Sequence, residues 1–160
     1  MDLGYILNFA YEIAYFLGVL VLFLVFAVSK GRQAVVNIIF GLYLALLISL
    51  VFPYYNQIFE SVSGQSESTV RLVFFAILTI LTTKLCARIM PDEFQEEKFE
   101  SFDKKLLLAA SATILVMIFS FHVLPVTELL TPGTPIQSLF APEQYFFWWL
   151  LVPLAAIYFL

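Results

Sequence analysis

Charged side chains are scarce in this sequence: Asp, Glu, Lys and Arg make up 12% of its 160 residues, against about 25% in an ordinary soluble domain. With 62% of the chain hydrophobic and a mean hydropathy of +0.95, too few polar groups remain to coat a folded surface in water. Lipid is the solvent that fits. Cations are scarcer than acids, eight Lys and Arg against twelve Asp and Glu, for a formal net charge of -4. Phosphate backbones are bound by basic stripes, so nucleic acid is excluded as a partner.

Groups that carry chemistry are scarcer still. The single cysteine, Cys86, rules out an internal disulfide and any multi-cysteine metal site. The single histidine, His122, cannot make a zinc site, which needs three or four ligands. No G-x-S-x-G, H-E-x-x-H or Walker loop occurs. Ser120 and His122 stand two apart, on different faces of a helix, and form no dyad. The sequence therefore reads as a non-enzyme without metal or cofactor. A basic n-region is also missing, the first charges being Asp2 and Glu12, so the N-terminus reads as part of the mature protein.

What the sequence has instead is long apolar runs. A helix crosses the ~30 Å hydrocarbon core in roughly 20 residues. Five stretches approach that length, at about 9–29, 35–55, 69–88, 105–125 and 145–160. Backbone in lipid must satisfy its own hydrogen bonds, which leaves helices or a closed barrel. Barrel strands alternate polar and apolar residues, and runs such as "VLVLFLVFAV" do not. The expected fold is all-α: one polytopic transmembrane domain over 1–160, with four helices and a short fifth.

The cations orient it. Lys30, Arg32, Lys84, Arg88, Lys98, Lys104 and Lys105 fall on one side of such a layout, and Arg71 alone on the other. The positive-inside rule then places the N-terminus outside and the C-terminus in the cytoplasm. "SKGRQ" becomes a cytoplasmic turn in which Gly31 permits the bend. Tyr54, Tyr55, Tyr145, Trp148 and Trp149 suit the headgroup level. Between the third and fourth spans, "PDEFQEEKFESFDKK" predicts a short interfacial helix over about 91–104, with Phe94, Phe99 and Phe102 on one side. The other two loops read as connectors, with a re-entrant piece around Leu139 and Phe140 in the second.

Small residues recur every four positions in the first two spans, as Ala10, Ala14 and Gly18, and as Gly41, Ala45 and Ser49. Such stripes let helix backbones approach closely, a main source of helix affinity in lipid. Folding at "SKGRQ" matches the two stripes in depth, Gly18 with Ala45 and Ala14 with Ser49. Ala76, Thr79 and Thr83, with Ala109, Thr113 and Val116, form a weaker second set. Three polar residues are candidates for a functional site: Glu12, Asn37 and His122. A span starting near Ile13 would leave Glu12 hydrated at the outer boundary, and His122 reads as an interfacial hydrogen-bonding group.

The stretch "LVLFLVFAVSKGRQAVVNIIFGLYLALLISLVFPYY" resembles the CvpA-like (colicin V production) membrane proteins, with Gly31, Arg32 and Gly41 at the matching places. That family begins outside, turns through a short Gly- and Arg-bearing cytoplasmic loop and returns through a Gly-containing helix. The resemblance implies a bacterial inner-membrane component linked to export and envelope maintenance, with no catalytic residues to carry over. Two functional expectations follow. The first is a non-enzymatic subunit or assembly factor that contacts lipid and other membrane subunits or further copies of itself. The alternative is a small-solute or ion transporter or channel subunit, which needs polar groups near the bilayer midplane.

Overall fold

Gly31 is where the first two helices part. Its φ of 87° lies in the left-handed region, and its amide donates to the Ala27 carbonyl at 3.1 Å. A side chain adopts that backbone state only at a cost, so glycine suits the point where one helix ends and the next begins at once. A computed structural model of the chain describes residues 3–54, 57, 67–90, 102–122, 135–140 and 142–159. Its helices are α1 (Leu3–Lys30), α2 (Arg32–Val51), α3 (Glu67–Ile89), α4 (Phe102–His122), α5 (Pro135–Phe140) and α6 (Glu143–Phe159). No strand occurs among the described residues.

The architecture is that of an all-α membrane protein. Phe9–Lys30, Arg32–Val51, Thr69–Ile89 and Phe102–Phe121 are long and apolar enough to cross a bilayer. The fifth expected segment is α6, whose 17 residues extend about 26 Å at 1.5 Å per residue. It begins at Glu143, an acid in the first turn that complements the helix dipole. Pro153 is buried within it, and the helix runs on to Phe159. The second span ends at Val51, short of the expected 55. Pro53 disfavours helical backbone at Phe52, whose ring instead packs on Phe74 at 4.6 Å.

One boundary differs from expectation with consequences for the charges. Of the interfacial helix expected over about 91–104, residues 91–101 lie outside the described residues. Phe102, Asp103 and Lys104 belong to α4 itself, where Asp103 occupies the first turn. Lys104 and Lys105 thus open α4 and do not close a separate helix.

Contacts group the chain into two compact units, Met1–Val36 with Asp92–Leu160, and Asn37–Pro91. In the first, α4 is the central element: α1, α5 and α6 all pack on it. Of its apolar window 56% is buried, against 17% for α1. Leu108, Ala109, Ala112, Thr113, Leu115 and Ile118 are fully enclosed. The hydroxyls on this crowded helix return to their own backbone: Ser111 donates to the Leu107 carbonyl and Thr113 to that of Ala109, both at 2.8 Å. These two buried hydroxyls are thereby satisfied within their own helix. In the second unit, α2 meets a narrow stripe of α3 in which Phe75, Thr82 and Cys86 are buried. With Thr79 they fall within about 60° of a helical wheel at 100° per residue.

Candidate functional site

The two faces of α1 divide its candidate residues. Glu12, Phe23 and Ala27 are buried, with Glu12 only 4% exposed. Ala10, Ala14 and Gly18 are all exposed. On a wheel at 100° per residue, Ala14 and Phe23 stand about 180° apart. A Cβ built on Gly18 meets no atom within 4 Å. The small-residue stripe of α1 therefore points away from the face that this chain encloses.

The stripe of α2 has the opposite fate: Gly41, Ala45 and Ser49 are buried. Gly41 faces α3, where a Cβ on it would come within 2.8 Å of the Thr83 backbone nitrogen. The hydroxyl of Thr82 donates to the Gly41 carbonyl at 2.7 Å, with the Leu78 carbonyl of its own helix at the same distance. The closest approach of Gly41 is thus to the third span. Within the weaker second set, Ala109 and Thr113 are buried and Ala76 is exposed. Thr82 is the buried threonine of α3, while Thr83 is half-buried. Periodicity alone did not single Thr82 out.

Glu12 falls within Phe9–Lys30, the stretch of α1 long and apolar enough to cross a membrane, and on its buried face. Three residues on, and so on a neighbouring part of the helix surface, the Tyr15 hydroxyl lies 3.2 Å from Ser120 Oγ of α4. Ser120 is 2% exposed and directs its own proton to the Val116 carbonyl at 2.8 Å. A hydroxyl has one proton, so Tyr15 is the donor to Ser120. This pair is a polar tie between α1 and α4, and sequence spacing offered no signal for it. Its residues lie 105 positions apart.

The remaining candidates are dispersed. Asn37 is 3% exposed in the second turn of α2. His122 closes α4, and its side chain lies outside the described residues. Lys30 ends α1, Arg32 starts α2, Arg88 lies in the last turn of α3, and Lys104 with Lys105 opens α4. No group of three His, Cys, Asp or Glu among the described residues could hold a metal ion.

The site the chain offers is therefore a divided α1: a buried acid on the enclosed side, and on the other an exposed face where Ala10, Ala14 and Gly18 lie among Leu7, Tyr11, Val21 and Val25. No protein-family model, no curated protein and no solved structure matches the chain.

Proposed function

We propose that this protein is a non-enzymatic subunit or assembly factor of a cell-envelope or export complex in a bacterial inner membrane. One observation carries the reading: Ala10, Ala14 and Gly18 are exposed on a helix whose opposite face is buried. Lipid gains nothing from small residues, whereas a second transmembrane helix can bring its backbone against them. The occupant we assign is such a helix, from another membrane subunit or from a second copy of this chain. The resemblance around Gly31, Arg32 and Gly41 to CvpA-like proteins supports the envelope setting. The cation asymmetry supports an N-terminus outside and a C-terminus in the cytoplasm.

The test is proximity cross-linking in cells. In a Cys86→Ser background, Ala14→Cys should cross-link to a membrane protein or to itself, and Val19→Cys, on the flank of the buried face, should not. Equal yields from the two would remove the reading. Orientation is tested separately with an impermeant thiol reagent: cysteines at Gln33 and Gln95 should label from the cytoplasm, and those at Gly64 and Gly133 from outside.

A transporter or channel subunit is the second reading, favoured by Glu12 lying buried within an apolar stretch long enough to cross a membrane. Intramembrane acids cost ~2.5–3.5 kcal/mol or more and commonly mark ion paths. A saturable flux through the lone protein in liposomes, abolished by Glu12→Gln, would put this reading first.

A further inference from the structure

The helices α5 and α6 flank an open groove of about 310 Å³ lined by Leu139, Tyr145, Trp148, Trp149 and Val152. Four of these recur on α6 at i, i+3, i+4 and i+7, so they form one face about two turns long. Leu139 overhangs that face from α5. The overhang is pinned: the Trp149 indole nitrogen donates to the Leu139 carbonyl at 3.0 Å. The Phe140 ring also packs on that of Trp149 at 4.9 Å, and Phe140 is itself buried. These two contacts fix one wall of the groove, whose volume is in the range that holds small ligands.

We propose that this groove is a binding site for one acyl chain of a membrane phospholipid. Its lining surface is apolar, which suits a hydrocarbon chain better than a headgroup, an ion or a polar solute. It opens onto surface that is already apolar, where Phe147, Trp148, Leu151 and Val152 are all exposed on the same helix. In a membrane-embedded protein that surface meets lipid, so the groove is continuous with a lipid contact. A partner helix is a poor fit. Transmembrane helices associate through small residues that let backbones close to 8–10 Å, and this lining is bulky and aromatic. A flexible hydrocarbon chain can follow such relief and gain dispersion contacts along it. Aromatic rings at the headgroup level are placed to hold the upper part of a chain.

Trp148 and Trp149 are the two tryptophans of the sequence, so indole fluorescence reports on this groove. The experiment uses full-length Trp148→Phe protein, leaving Trp149 as the emitter, in phosphatidylcholine vesicles with brominated acyl chains that quench on contact. Strong quenching is expected. Adding Val152→Phe, which fills the groove, should at least halve it, and Val152→Ala, which enlarges the groove, should not lower it. Circular dichroism and the unquenched emission maximum report whether α6 and its tie to α5 persist in each variant. Quenching indifferent to both substitutions would overturn the proposal. Quenching that fades as the protein-to-lipid ratio rises would seat a second copy in the groove, and would overturn it as well.

Discussion

Gly41 of α2 lies directly against the backbone of Thr83 of α3, close enough that a Cβ on Gly41 would stand 2.8 Å from the Thr83 nitrogen and 2.9 Å from its Cα. Backbone atoms of a packed helix cannot rotate aside as a flexible side chain can. Gly41→Ala should therefore lower the stability of the Asn37–Pro91 unit by about 1–3 kcal/mol, the usual cost of overpacking. Gly18→Ala is the control. It meets no atom within 4 Å and should be neutral, or stabilising by up to ~1 kcal/mol through helix propensity. Unfolding in mixed micelles as the denaturing detergent fraction rises separates the two.

Thr82 gives the same interface its directional contact. Its single hydroxyl proton is shared among the Gly41 and Leu78 carbonyls, each at 2.7 Å, and that of Thr79 at 3.2 Å. Thr82→Val keeps the shape and removes the donor. Interhelical hydrogen bonds in membranes average about 0.6 kcal/mol, and the predicted loss is of that size because Gly41 stays within its own helix ladder. Thr82→Ser should recover it in the same unfolding assay, less the missing methyl contact.

How far these features could be read beforehand depends on their range. The spans were legible because apolar runs of that length have few other destinies, and Gly31 punctuates the first pair locally. The α2 stripe was also legible: Gly41, Ala45 and Ser49 are buried together. Its neighbour was not, because chain proximity through "SKGRQ" suggested α1, while the close backbone contact of Gly41 is with Thr83. Nor could periodicity choose between adjacent threonines, since the buried face of α3 includes the large Phe75 as well as small residues. The burial of Glu12 was not legible, because which face of α1 is enclosed depends on helices distant in sequence. The Tyr15–Ser120 pair is a long-range contact that no local pattern announces.

The turn at Gly31 carries a conformational demand. Its φ of 87° is a backbone state that side chains with a Cβ adopt at a cost of roughly 1–2 kcal/mol. Gly31→Ala should lower the yield of folded protein in mild detergent. Gly31→Asn should lower it less, since Asn tolerates left-handed backbone better than other side chains. Equal yields from Ala and Asn would locate the demand elsewhere.

The Tyr15–Ser120 pair allows the tie between α1 and α4 to be measured free of packing losses. Tyr15→Phe removes only the donor, and Ser120 keeps its bond to the Val116 carbonyl at 2.8 Å. Ser120→Ala removes the acceptor and leaves the tyrosine, which is 39% exposed, able to turn toward other partners. Each single change should therefore cost little, about 0.6 kcal/mol with the cross-helix bond as its main part. If the hydroxyls interact as their 3.2 Å separation implies, the double variant should cost less than the sum of the singles. The shortfall in this double-mutant cycle is the interaction energy itself. Strict additivity would mean that the two hydroxyls share no bond in the membrane.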